Sequence, residues 1–296
     1  MSLVVKPLHP LFAAEIFGAD LREPAAPELV ERIEAEMAKH AVVVVRGQAI
    51  TDEQHIAFSR AFGPLELPSQ LGSGARTRLR RELFDASNLD DNGDLLGETS
   101  RRRSYNRANE LFHSDSSFHD LPTKWSILYA YVVPEVGGNT EFVDTRAVYD
   151  DLPAATKAQL EGLEAEHYFW HSRERAGFVC SDEMRRALPP VRHPVVRTSA
   201  DGRRGLYLGA HAAHIVGWPL EEGRKLIEEL NAFAARPKYV YSHRWLEGDV
   251  LIWDNRCTYH RAGAFDGLRL PRDLRRTTIN EYGPEQAAAN RNRTAA

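Results

Sequence analysis

The chain has 296 residues, 43% of them hydrophobic, with a formal net charge of −4 and a sequence pI near 6.3. That length can bury a substantial core, and nothing in the mildly acidic balance asks for nucleic acid or an anionic membrane as a partner. Two cysteines, Cys180 and Cys257, stand far apart and outside any Cys-x-x-Cys motif. The start carries no secretory signal, and no apolar run approaches the ~18 residues of a membrane span, so free thiols in the cytoplasm are expected.

Apolar residues at Leu29, Ile33 and Met37 predict an amphipathic helix over 28–40. The run Val42-Val43-Val44-Val45, stopped at Gly47, predicts a buried strand. Thr51 and Gln54 form a capping-box signature that opens a second helix running to Phe62, and Gly63-Pro64 closes it. Patterning then weakens over 66–111, where Asp91-Asn92-Gly93-Asp94 marks a hairpin turn. An insertion of this length is expected to act as a lid. The Arg101-Arg102-Arg103 run within it reads as a solvated loop.

Strand patterns dominate the rest: 126–133, 139–143, 194–198, 205–208, 238–245, 249–253 and 276–282. An aromatic-rich strand is also expected at His167-Tyr168-Phe169-Trp170-His171. Helical patterns interrupt near 145–163 and 220–235, and a frayed tail is expected at 285–296. Without regular βαβ alternation or internal repeats, the pattern predicts one domain over 1–296. It is mainly β with flanking helices, as an antiparallel sandwich or barrel.

Chemistry concentrates between Asn109 and Asp120, where two histidines and two aspartates fall together. In a strand or at its end, His113 and Asp115 share one face while Ser114 points away. A further histidine, His260, follows the apolar run Val250-Leu251-Ile252-Trp253. Two imidazoles and one carboxylate make a facial triad suited to non-haem Fe(II) with open coordination positions. Beyond His260, Arg272 and Arg276 lie four apart, on one face of a returning strand. Arginine suits the bidentate grip of a carboxylate, so an Fe(II) triad beside these arginines points to 2-oxoglutarate. The plainer reading, arginines as surface charges, stays open on spacing alone.

The chain resembles the taurine/2,4-dichlorophenoxyacetate dioxygenase family of Fe(II)- and 2-oxoglutarate-dependent oxygenases, and its 2,4-dichlorophenoxyacetate branch most of all. The resemblance covers nearly the whole chain. It rests on Pro7-Leu8-His9-Pro10-Leu11-Phe12, Asp20-Leu21-Arg22-Glu23, Phe62-Gly63-Pro64-Leu65-Glu66 and His113-Ser114-Asp115-Ser116-Ser117-Phe118. Gly137-Gly138-Asn139-Thr140-Glu141-Phe142, Gly209-Ala210-His211 and Trp253-Asp254-Asn255-Arg256-Cys257 add to it. It implies a double-stranded β-helix (jelly roll) core, with His113, Asp115 and His260 as iron ligands. Arg272 and Thr140 are implied to hold the distal carboxylate of 2-oxoglutarate, and Arg276 to meet the substrate's anionic group. His211 is a further candidate for substrate contact. Asp254 and Asn255 are expected to hold the turn that aims His260, Trp253 to sit in the core and His119 to serve a loop.

The expected reaction hydroxylates a small anionic substrate, an aryloxyacetate such as 2,4-dichlorophenoxyacetate, with Fe(II), 2-oxoglutarate and O2. Succinate and CO2 are released, and ether cleavage gives a phenol and glyoxylate. The branch carries lysines before its His-x-Asp motif that are thought to help hold the aryloxyacetate. Here 67–111 contains arginines and no lysine, so a sulfonate or another carboxylic acid stays open as substrate. A His/His/Asp site could also serve a zinc hydrolase, although no His-Glu-x-x-His motif occurs in this chain, or a metal-binding jelly roll without catalysis. The expected partners are a small anionic organic molecule and further copies of the chain in a homo-oligomer, with neither nucleic acid nor membrane.

Overall fold

The structure is a computed structural model that describes residues 3–67, 78–199 and 201–283. A seven-stranded sheet runs in the spatial order Val4–Pro7, Ala14–Phe17, Val42–Val45, Val250–Asp254, Thr123–Val132, Asp273–Asn280 and Phe84–Asp85. Every pairing is antiparallel except that of Ala14–Phe17 with Val42–Val45. A three-stranded sheet, Val240–His243, Thr140–Asp144 and Thr258–Ala262, is also antiparallel. The chain is thus mainly sheet with helices around it.

Side-chain alternation decides how these layers pack. Val42, Val44, Leu128, Ala130, Leu251 and Trp253 share one core cluster with Phe142 and Tyr241 of the smaller sheet, so the two sheets face each other. Val43, Val45, Ile127, Tyr129, Val250 and Ile252 point the other way. They meet Ile33 and Met37 of helix Pro27–His40, and Phe58 of helix Asp52–Arg60 with Phe62 beyond its end. Both faces of the four-valine strand are therefore covered, which is why it carries no polar residue. The Thr51 hydroxyl accepts from Gln54 N, and Gln54 caps in return, closing the expected capping box.

Three expected elements differ. The Arg101-Arg102-Arg103 run, read as a solvated loop, opens helix Arg101–Asn106, and Arg102 pairs with Asp85 at 2.6 Å. The pattern over 145–163 forms two helices, Thr145–Asp150 and Ala154–Leu160, with Pro153 as the cap of the second; a proline inside one helix would lose a backbone hydrogen bond. The aromatic run read as a strand is a strand only to His167, and Phe169–Arg175 is a helix. Phe169, Trp170 and Arg173 are buried on it while Glu174 and Arg175 are exposed. The Trp170 indole donates to Met184 O at 2.8 Å. Burial of one helical face has overridden the strand preference of aromatics. The turn at 91–94 is present, with Gly93 at φ +90° and Asp90 N donating to Asp94 O. The expected tail at 285–296 lies outside the described residues, as do 68–77 of the expected lid.

Candidate active site

His113 pairs with His260 as a bridge at the free edge of strand Thr258–Ala262, each backbone N–H donating to the other's carbonyl at 3.0 and 2.8 Å. The pairing brings the two imidazoles to a centroid separation of 4.2 Å. Asp115 follows in a turn, with its carboxylate 3.9 Å from His113 Nε2 and 3.7 Å from His260 Nε2. One ligand atom from each of the three residues lies within 4.8 Å of the others, and all three are buried. Ser114 points away and donates to Thr258 O.

The surroundings fit a metal. His113 Nδ1 lies 2.7 Å from Leu111 O, which fixes Nδ1 as the donor and leaves the Nε2 lone pair for an ion. Asp115 accepts from the Ser126 hydroxyl at 2.7 Å and from Arg276 Nη1. Asn255 Oδ1 accepts from Asp115 N and from the Trp253 indole, while Asn255 Nδ2 donates to Ser126 Oγ. Asn255 therefore positions the carboxylate at one remove, through the Asp115 backbone and the Ser126 hydroxyl. Asp254 caps the same turn through Arg256 and Thr258. Trp253 is in the core and packs 4.7 Å from the His260 ring.

Burial pushes the His113 and His260 imidazoles down, His260 far below the ordinary histidine value, so both are neutral. Burial alone raises the Asp115 carboxyl, but Arg276, His260 and His113 outweigh it and hold it at about 2. Two neutral imidazoles and an ionised carboxylate form the donor set that a divalent ion takes up without releasing protons.

A cavity of about 230 Å³ opens beside His113 and His260 and is lined by Arg272, Thr140 and Arg276. Arg272 is 7% exposed and makes no carboxylate pair among the described residues. Its Nε donates to Gly138 O at 3.2 Å, Nη1 to Ala86 O at 3.1 Å and Nη2 to Thr140 Oγ1 at 3.4 Å. Burial without a counter-ion pushes its guanidinium down to about 10. Gly138 makes the contact possible. It sits at φ +68°, where a Cβ would lie 2.6 Å from Pro134 Cγ. Asn88, Arg103 and Arg107, all from 66–111, also line the cavity.

A second, smaller cavity of about 70 Å³ shares His113, Phe84, Asn109 and Arg276 with the first. Arg276 also lies over the Phe84 ring at 4.6 Å. His211 lines this cavity, 5.8 Å from His113 and stacked 5.7 Å from Phe169. His119 is on its wall but outside the three-residue cluster. The sequence reading missed Arg173, which lines the same cavity from helix Phe169–Arg175. A strand ending at His171 leaves Arg173 outside the segment and so unconnected to the site. Helical spacing from Phe169 would have been the signal.

Comparisons with known proteins bear on this geometry. The family model described as "Taurine catabolism dioxygenase TauD, TfdA family" matches residues 5–278. The chain is 46% identical to an alpha-ketoglutarate-dependent 2,4-dichlorophenoxyacetate dioxygenase of Cupriavidus pinatubonensis, over 94% of this chain and 98% of that protein. It is 44% identical to a Burkholderia sp. protein of the same description, over 94% of each. The crystal structure of AAD-2 in complex with Mn(II) and N-oxalylglycine superposes with a TM-score of 0.88 at 40% identity, covering 96% of this chain and 98% of that one.

Proposed function

Because the chain belongs to the taurine catabolism dioxygenase TauD, TfdA family, we propose that it oxidises a small anionic aryloxyacetate, such as 2,4-dichlorophenoxyacetate, as an alpha-ketoglutarate-dependent dioxygenase. The 2,4-dichlorophenoxyacetate dioxygenases at 44–46% identity support this substrate class. The buried guanidinium of Arg272 carries the reading. A cation this enclosed is costly without an anion, and it shares a cavity with His113 and His260. Fe(II), held by His113, Asp115 and His260, supplies with 2-oxoglutarate and O2 the oxidising chemistry that yields succinate, CO2 and a hydroxylated substrate.

The protein's own part is placement. Arg272 and Thr140 would hold the distal carboxylate of 2-oxoglutarate. Leu111 O fixes the His113 tautomer, and Ser126 and Asn255 orient Asp115. Arg276 stands between the two cavities, where it can face the substrate's acid group, and His211 supplies part of the wall. Hydroxylation beside an ether oxygen gives a hemiacetal, which collapses to a phenol and glyoxylate. The two facing sheets support a jelly-roll core, and 84–110, which wall the larger cavity, support a lid over the site. Buried, unpaired Cys180 and Cys257 suit a reducing cytoplasm.

The test is a panel of anions incubated with Fe(II), ascorbate and 2-oxoglutarate, read as succinate and phenol. Succinate coupled to phenol from 2,4-dichlorophenoxyacetate is expected. Succinate coupled only to a sulfonate or a non-aryl acid would move the substrate class, a reading favoured by the absence of lysine across 67–111. Metal and 2-oxoglutarate binding with no succinate under any condition would overturn catalysis itself.

A further inference from the structure

We propose that Arg173 is a second anchor for the substrate's acid group, acting with Arg276 across the smaller cavity. The inference deepens the reading above and rests on it. Arg173 is 6% exposed. It makes no carboxylate pair among the described residues. Its guanidinium lies over the rings of Tyr105 at 4.7 Å and Phe169 at 4.6 Å, and it hydrogen-bonds to Tyr105. Aromatic faces and a phenol hold a guanidinium in place, yet they do not neutralise it. Burial accordingly lowers its pKa.

The donors left over point the same way. Nε of Arg173 and Nε of Arg276 are both buried and lack an acceptor among the described residues. Both residues line one cavity. Arg276 spends one nitrogen on Asp115, and the other carboxylate on the wall, Glu66, accepts from the Ser116 hydroxyl at 3.0 Å. A bound carboxylate has two oxygens and about four lone-pair sites. It can therefore serve both arginines without drawing Arg276 from Asp115.

The remaining wall specifies the rest of the ligand. Phe118 lies 4.5 Å from Phe169 and 5.0 Å from His211, and Leu188 closes the same space. His211 adds a flat ring, stacked 5.7 Å from Phe169. Two guanidiniums among aromatic faces suit an acid joined to an aryl ring. A neutral analogue would leave a buried cation unpaired, which is how such sites reject one.

The experiment titrates the protein, loaded with Mn(II) and N-oxalylglycine, calorimetrically with 2,4-dichlorophenoxyacetate and with its neutral methyl ester. Arg173→Gln is expected to weaken the acid by about 10- to 100-fold, with the ester and N-oxalylglycine each within about two-fold of wild type. Acid affinity equal to wild type, with N-oxalylglycine bound normally, overturns the role of Arg173 and leaves the reaction class standing. Wild type that does not bind N-oxalylglycine overturns the reaction class, and this inference with it. Should Arg173→Gln fail to fold, Arg173→Lys decides. It keeps the charge but loses the fork, so a several-fold loss for the acid alone supports the role. Parallel losses for acid and ester, the mark of a merely structural residue, overturn it.

Discussion

Arg272 sets function against stability within one side chain. Among the described residues its guanidinium is buried with hydroxyl and carbonyl partners only, so the ligand-free fold bears much of the cost of an uncompensated cation. Arg272→Met is therefore expected to raise the KM for 2-oxoglutarate by about 10- to 100-fold, while the melting temperature of the ligand-free protein stays level or rises. A fall of several degrees in a thermal melt would show that the carbonyl contacts outweigh the burial cost. Asn255 acts at one remove from the metal, through the Asp115 backbone and Ser126. Asn255→Ala should weaken Mn(II) binding by about 10- to 100-fold, the usual effect of removing a group that orients a ligand. Unchanged Mn(II) affinity by calorimetry would mean that Ser126 and Arg276 suffice.

Elements set the precision of these side chains. The Gly137-Gly138 turn brings Gly138 O under Arg272 Nε, and positive φ together with the Pro134 contact requires glycine there. Gly138→Ala should cost about 1–3 kcal/mol and loosen 2-oxoglutarate binding along with stability. Chemical denaturation and a 2-oxoglutarate titration on the same variant test the two together. Stability loss with normal 2-oxoglutarate affinity would separate the turn from the pocket. Thr51→Ala is the contrasting case. It removes a helix cap that lines neither cavity of the site, so about 1 kcal/mol of stability should go, with KM for 2-oxoglutarate unchanged. The strand at 42–45 was legible because a run of β-branched residues has one good solution. The helix at 169–175 was not, because aromatic residues fit either element and only its packing through Trp170 and Met184 chooses.

Across the whole molecule, buried neutral histidines tie stability to pH. Burial holds His55 down at about 4 and His167 at about 3. Both lie below the unfolded value of 6.5, so near pH 7 neither state is protonated and no stability is lost. As pH falls below 6.5 the unfolded chain takes up protons that the fold refuses, and stability drops by about 1.4 kcal/mol per pH unit for each proton. The loss continues toward the folded values. Below pH 4 the unfolded Asp115 carboxyl also takes up a proton that the fold, holding it at about 2, refuses, and this adds to the loss. The metal-free protein should therefore lose stability steadily from pH 6 to 4. His167→Phe should take up about one proton fewer on unfolding across that range, measured by urea denaturation at each pH. An unaltered slope would place the acid sensitivity elsewhere.

The amino-acid sequence by itself determined the layered β architecture, the covered valine strand, the capped second helix and the residue types of a His/Asp/His and arginine site. Those are local matters of spacing, β-branching and donor chemistry. Tertiary structure alone decided that His113 and His260 meet across a sheet edge, because backbone pairing between distant segments sets that distance. It also decided that Arg272 is buried without a counter-ion among the described residues, since burial depends on every element packed around it. Helix 169–175 reaches the site for the same reason. Its aromatic face suits strand and helix alike, and only burial against the rest of the fold turns Arg173 toward the cavity.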